Sequence, residues 1–165
     1  MGEVSTIGLN LAKNMFQAHG AGADGSVVFR RKLSRAQLLK FMAAQPQCVV
    51  AMEACASAHH WGRAIGDLGH EVRLIPPAYV KPFVKRQKND MADAEAIAEA
   101  ASQPTMRFVA VKSEAQQAAA MAYRTRDLLI RSAHADDQRA ARPSGRAGHR
   151  GAHRPRARRA PRGHR

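Results

Sequence analysis

The sequence is poor in the residues that would make it a membrane-spanning, secreted or disulfide-held protein. Among 165 residues there are two cysteines, one tryptophan, two tyrosines and five phenylalanines, and 13 acids stand against 27 lysines and arginines. Two cysteines make no disulfide framework and show no metal-ligand spacing. If "CVVAMEACA" is a strand, the odd separation of Cys48 and Cys55 turns them to opposite faces, so both are expected as reduced, half-buried thiols. No apolar run is long enough for a signal peptide or a bilayer span, which points to a soluble cytoplasmic protein with no membrane partner.

Large apolar residues are missing altogether at the C-terminal end. From Ala133 onward there is no Leu, Ile, Val, Met, Phe, Tyr or Trp, and no Lys, although the body uses lysine freely. Nothing there can bury a core, and the charge repels itself, so residues 133–165 are expected to be a disordered Arg-rich tail behind a single domain of residues 1–132. The tail also accounts for most of the net charge of +14: residues 131–165 hold 11 Arg and two Asp. The body is only mildly basic, so net charge by itself is no signature of DNA binding. Two origins compete for the tail. It is a basic nucleic-acid arm, or it is the product of a shifted reading frame in GC-rich DNA, where Arg, Ala, Gly and Pro codons dominate. The abrupt loss of large apolar residues in mid-helix favours the second.

The body reads as alternating strands and helices. "VSTIGLNLA", "MFQAHGA" and "SVVFRRKLS" are three strands, the last two joined by a turn at Gly22, Asp24 and Gly25. "SRAQLLKFMAAQ" is a helix capped by Ser34, with Leu38, Leu39 and Met42 on one side. "CVVAMEACA" is a buried strand; "AHHWGRAIGDLGH" is a helix with Trp61, Ile65 and Leu68 at helical spacing and Gly69 at its end. "EVRLIPP" is a strand stopped by prolines, "AYVKPFVKRQK" a basic connector, "DMADAEAIAEAASQ" a helix, "RFVAV" a short strand, and "SEAQQAAAMAYRTRDLLIRS" a helix capped by Ser113. Three leading strands followed by α-β-α-β-α give an α/β fold, a mixed sheet with flanking helices.

Three carboxylates stand out. Asp90 and Asp93 are three residues apart at the start of a helix, on the side that carries Ile97, while Glu95 and Glu99 fall opposite, toward solvent. Capping by Asn89 or Asp90, and the preference of the first turn for negative charge, explain the aspartates without function. Glu53 is harder to explain so. It lies in an otherwise apolar strand, where a lone carboxylate is costly unless a cation or strong donors meet it. Asn10, in the first strand, is a further polar residue in an apolar segment. His59 and His60 are adjacent and point about 100° apart on a helix, which suits surface or capping roles rather than a shared metal.

Four segments, "IGLNLAKNMF", "VVAMEACASAHHW", "VRLIPPAYVKPFVKRQKND" and "DMADAEAIAEA", follow one another as in transposases of the insertion sequence 110 family, and the chain resembles their N-terminal RuvC-like domain over about residues 5–132. The resemblance implies an RNase H-like fold, a role in DNA transposition and recombination, and an Asp-Glu-Asp-Asp set that binds divalent metal, Mg²⁺ or Mn²⁺. It carries that set onto Asn10, Glu53, Asp90 and Asp93, with Glu53, Asp90 and Asp93 as the metal ligands. It implies DNA as partner, an RNA guide in related members, homo-oligomers in the intact family, and a serine nucleophile in a later domain. Lys81, Lys85, Arg86 and Lys88 are placed to meet phosphates near the metals.

The departures from the pattern are as informative. Asn10 stands where the family has Asp, which removes one charge from the cluster and should weaken metal binding. The likeness ends near Ser132, which suggests a truncated copy, frame-shifted and inactive. A non-catalytic nucleic-acid-binding module is the main alternative. A sugar-kinase or actin-like ATPase also opens on a strand with an acid, but wants a glycine-rich phosphate turn after it, and "NLAKNMFQA" has no glycine.

Overall fold

The computed structural model describes residues 3–85 and 89–140, with side chains through residue 135. Arg86 and Lys88, two of the expected phosphate contacts, and the chain from 141 onward lie outside the described residues. The chain divides into two units, Met1–Tyr123 and Arg124–Arg165.

The first unit is built on a five-stranded sheet. β1 (Thr6–Asn10), β2 (Met15–Ala21) and β3 (Val27–Ser34) form an antiparallel meander; β4 (Val49–Glu53) and β5 (Glu71–Ile75) add in parallel on the other side of β1. The spatial order is β3-β2-β1-β4-β5. This order with these directions is the RNase H-like mixed sheet that the resemblance implies. The β2–β3 hairpin closes where expected: Gly25 takes φ +80°, and the Asp24 carboxylate accepts from the Ser26 amide at 2.9 Å and its hydroxyl at 2.6 Å.

Strand alternation sorts side chains onto two faces. Ile7, Leu9, Phe16, Ala18, Leu33, Val50, Met52 and Leu74 turn to one side and bury against α1 (Arg35–Ala43) and α2 (Ala58–Gly66). Each large side chain buried there contributes about 1.5–3 kcal/mol. Phe16 meets Trp61 edge to face at 5.3 Å. The N-terminus of α1 is closed by the Gln37 side-chain carbonyl accepting from the Ser34 amide at 2.9 Å. Leu38 and Met42 are buried as expected, but Leu39 and Leu68 are exposed, because Leu39 sits one step round the helix and α2 ends at Gly66, before Leu68.

The opposite face carries α4 (Asp90–Ala101), an alanine-rich helix whose Ala96, Ile97, Ala100 and Ala101 pack with Ala51, Ile75 and Val80. Gly8 makes this packing possible. A Cβ at residue 8 would collide with the Ala94 carbonyl oxygen and lie 2.6 Å from the Ala98 nitrogen, so the α4 backbone rests directly on β1.

The connector after β5 is more ordered than its composition suggests. Pro77 sits at the first position of a short helix, α3 (Pro77–Val80), and a 3-10 turn spans Lys81–Phe83. The "RFVAV" strand is reduced to one bridge, Val109 to Leu74, with the Val109 amide donating to Leu74 at 2.7 Å. Ser113 caps α5 reciprocally with Gln116. α5 runs Glu114–Ala140, beyond the boundary expected at residue 132. Alanine and arginine favour helix even without an apolar face, so the loss of large apolar residues does not end it. In the second unit the helix carries an Asp127–Arg131 ion pair, and the Ser132 hydroxyl donates to the Leu128 carbonyl.

Replacing Gly8 by Val is expected to destabilise the protein by about 3 kcal/mol in urea unfolding, because backbone rather than a flexible side chain stands in the way. Gly66, with open space around its Cβ position, is the control: Gly66→Ala is expected to be neutral or to stabilise by up to about 1 kcal/mol. Equal midpoints for Gly8→Val and the parent would show that the close approach of α4 is not required.

Candidate metal and nucleic-acid site

The site is assembled at one edge of the sheet. β1 and β4 are parallel neighbours, with Leu9 opposite Met52, so the next residues, Asn10 and Glu53, end the two central strands side by side. Leu9 and Met52 face the α1/α2 core. Alternation therefore turns Asn10 and Glu53 to the other face, where Gly8 and Ala51 meet α4. The N-terminus of α4 reaches the same place. The Asn10 amide donates from Nδ2 to the Asp90 carbonyl oxygen at 3.3 Å, and Asp93, one turn on, is half-buried.

Capping of α4 falls to Asn89. Its side-chain oxygen accepts from the Ala92 amide at 2.7 Å, so neither aspartate is needed as a cap. The Glu53 carboxyl is pushed up from its usual range, first by burial and then by the negative charge of Asp93. A cation beside Glu53 and Asp93 would offset both effects. Asp90 is exposed and meets Asn10 through its backbone carbonyl. Among the described residues, no three His, Cys, Asp or Glu side chains converge closely enough to hold a metal. Glu53 and Asp93 are carboxylates of the kind a hard divalent cation takes, and Asn10 lies on the neighbouring strand end.

Of the expected phosphate contacts, Lys81 is exposed on the 3-10 turn. Lys85 is already engaged: its ammonium donates to the Glu95 carboxylate at 2.6 Å, and the other Glu95 oxygen takes Arg30 at 3.0 Å. Hydrogen bonding from Lys85 holds the Glu95 carboxyl below its usual range. Glu95 was expected in solvent; it is half-buried because α4 lies across β2 as well as β1, which turns this flank of the helix toward Arg30 on β3. The register of β1, β2 and β3 was needed to see this, and helical periodicity of α4 alone does not contain it.

His19 went unnoticed in the sequence. It pairs with Gly8 across the β1–β2 ladder and is buried, and its Nδ1 is without a partner among the described residues. Burial pushes its pKa down, so the ring is held neutral. His59 is also buried rather than at the surface, its Nδ1 accepting from the Lys112 amide at 3.1 Å. Cys48 and Cys55 are free, and burial pushes the Cys48 thiol up to about 11.

Comparison with known proteins bears on this site. The model of a transposase family, the Asp-Glu-Asp-Asp transposases of the insertion sequence 110 type, matches residues 7–142. The chain belongs to that family. The match continues ten residues beyond Ser132, where the likeness was expected to stop. Similar relatives are a probable family 20 transposase of Pseudomonas aeruginosa, 55% identical over 78% of this chain and 38% of that protein; the transposase for insertion sequence element IS1328 of Yersinia enterocolitica, 50% identical over 79% and 39%; and the transposase for insertion sequence element IS1111A of Coxiella burnetii, 42% identical over 80% and 36%. The chain therefore spans well under half the length of these relatives. A solved structure of T. thermophilus RuvC in complex with a Holliday junction substrate aligns with a TM-score of 0.44 at 15% identity, covering 63% of this chain and 98% of that one. No helix among the described residues is long and apolar enough to cross a membrane.

The raised Glu53 carboxyl has a consequence for stability. The folded chain holds this proton more tightly than the unfolded chain does, so Glu53 favours folding below its ordinary value of 4.5, and that contribution is lost as pH rises through the higher folded value. At pH 7.5 without divalent ions, Glu53→Gln is expected to raise the melting temperature by about 1–2 °C. The gain should shrink toward pH 4, and a lower melting temperature for the variant at pH 7.5 would contradict the crowding of Glu53 and Asp93.

Proposed function

We propose that this chain carries the metal- and DNA-binding unit of an insertion-sequence transposase, residues 1–132, and that its acid cluster is weakened by Asn10. The observation that supports this most is the meeting of Asn10, Glu53 and the first turn of α4 at the ends of two central strands, where Asp93 is near enough to raise the Glu53 carboxyl. In this reading Glu53 and Asp93 bind a divalent cation, Mg²⁺ or Mn²⁺, and Asp90 joins them as the cluster fills. A cation held there by Glu53 and Asp93 would supply charge stabilisation to a scissile phosphate. The protein's own residues do the rest. Glu53, fixed at the end of a central strand, and Asp93, fixed on a helix whose cap is already satisfied, hold the carboxylates in place and leave the phosphate side open to DNA. The family supports DNA as the partner of the whole protein; that the whole protein acts in the cytoplasm, as a homo-oligomer and with an RNA guide, is part of the same proposal. The Arg-rich residues 133–165 add electrostatic affinity for nucleic acid without sequence information.

Asn10 distinguishes this chain from the family pattern in two ways. It supplies one neutral oxygen in place of a charged carboxylate, and its Nδ2 donates to the Asp90 carbonyl, a bond that Asp at position 10 cannot make. Calorimetry with Mn²⁺ tests both. The wild-type chain is expected to bind in the millimolar range and Asn10→Asp roughly tenfold more tightly, since affinity follows the charge of the ligand set. Without metal, Asn10→Asp should melt lower, by about 1 kcal/mol, and Mn²⁺ should restore it. Equal affinities for the two proteins, or Mn²⁺ binding undiminished by Glu53→Gln, would overturn the reading.

A further inference from the structure

Across the β1–β2 and β2–β3 ladders, Asn10 stands opposite Gln17, and Gln17 opposite Lys32. Their chain neighbours Leu9, Phe16, Ala18 and Leu33 all face the α1/α2 core. Asn10, Gln17 and Lys32 therefore form one row on the α4 face, running from the acid cluster to the edge strand β3. Two strand spacings separate Lys32 from Asn10, about 10 Å. Gln17 is half-buried and Lys32 exposed, and among the described residues neither side chain has a hydrogen bond or ion pair.

The contrast with the next row decides what this one is for. There Gly8, His19 and Arg30 are opposite one another, α4 covers the row, and both nearby cations are spent: Arg30 and Lys85 share Glu95. An anion reaching Arg30 or Lys85 has to displace a carboxylate. At Lys32 it displaces only water. The acids end at Asp93 and Glu53, and the Lys32 ammonium, unpaired among the described residues, stands two strands from Asn10 and three from Glu53 on the same face, with the Gln17 amide, which can donate or accept, between them. A polyanion with regularly spaced charges fits such a row, whereas a single small anion would use only one end of it.

We propose that Gln17 and Lys32 form a positioning subsite for the phosphodiester backbone of a DNA strand, which leaves the acid cluster across β2 and exits over β3. The subsite rests on the cluster reading given under Proposed function. Lys32 takes a phosphate flanking the one at the cluster, and Gln17 hydrogen-bonds the backbone between them. Both contacts fix register and carry no base information. Lys85, assigned to this role by its place in the sequence, contributes less because it is already neutralised by Glu95.

The test uses the full chain and a labelled single-stranded DNA oligonucleotide, read by fluorescence anisotropy over a salt series, with EDTA and with Mg²⁺. Lys32→Gln is compared with Lys40→Gln, an equal charge change on an exposed position of α1, so that the general attraction of a basic protein cancels. Lys32→Gln is expected to weaken binding about three- to tenfold more than Lys40→Gln and to lower the salt slope by about 0.7. Gln17→Ala should weaken binding two- to threefold with the slope unchanged. Indistinguishable Lys32→Gln and Lys40→Gln proteins would overturn the subsite. An RNA oligonucleotide of the same sequence is run beside the DNA, and a loss confined to RNA would overturn the assignment to a DNA strand. The arms separate this proposal from the one beneath it. A Lys32 effect that persists in EDTA, with no Mg²⁺ enhancement in the parent or in Glu53→Gln, keeps the subsite and removes the cluster; Mg²⁺ enhancement that depends on Glu53 without any Lys32 effect does the reverse.

Discussion

The close approach of α4 to β1 over Gly8 is the constraint on which the site depends. A helix normally stands off a sheet by the thickness of two side-chain layers. At Gly8 the sheet side supplies no side chain, and α4 meets it with Ala94 and Ala98. The first turn of α4 is thereby lowered to the ends of β1 and β4, where an Asn10 side chain is long enough to bond the Asp90 carbonyl. A larger residue at position 8 would lift α4 and separate Asp93 from Glu53. Stability and site geometry thus share one contact, which explains why a helix with so little apolar volume is seated so closely.

Electrostatics around α4 divides into two zones. At its middle the flank is neutralised: Glu95 binds Arg30 and Lys85, and burial holds His19 neutral beneath the helix. At its N-terminus the negative charge of Asp93 raises the Glu53 carboxyl, Asn10 contributes a neutral amide, and among the described residues Lys32, on β3, has no ion-pair partner. Buried or crowded charge that the fold leaves unpaired costs stability, and functional sites are where proteins retain such cost. The paired flank anchors the helix.

The sheet and the helices packed on it were legible in the sequence because each rests on local pattern. Short apolar runs marked β1 and β4, Glu53 drew notice as a lone acid in one of them, and the i, i+3 spacing singled out Asp90 and Asp93. What was not legible needs cross-strand register. Glu95 looks exposed on a helical wheel, yet a neighbouring strand brings Arg30 to it. Lys85 looks free in a basic run, yet its partner is ten residues ahead. Gln17 and Lys32 have no motif at all and become neighbours of Asn10 only through two antiparallel ladders. The end of α5 was misjudged for a different reason: apolar composition measures the capacity to pack, whereas helix persistence follows backbone propensity, and alanine and arginine retain that.

The proposed cation site joins Asn10, Glu53 and the first turn of α4. Paramagnetic broadening by Mn²⁺ in an amide NMR spectrum probes it, because the ion erases signals only from its surroundings. At substoichiometric Mn²⁺, selective loss of the amide signals around Asn10, Glu53 and Asp90–Asp93 is expected, with those of α1 and α2 retained. Broadening that spares Glu53 and Asp93, or that is centred on Glu95 or on the Asp127 region of α5, would contradict it.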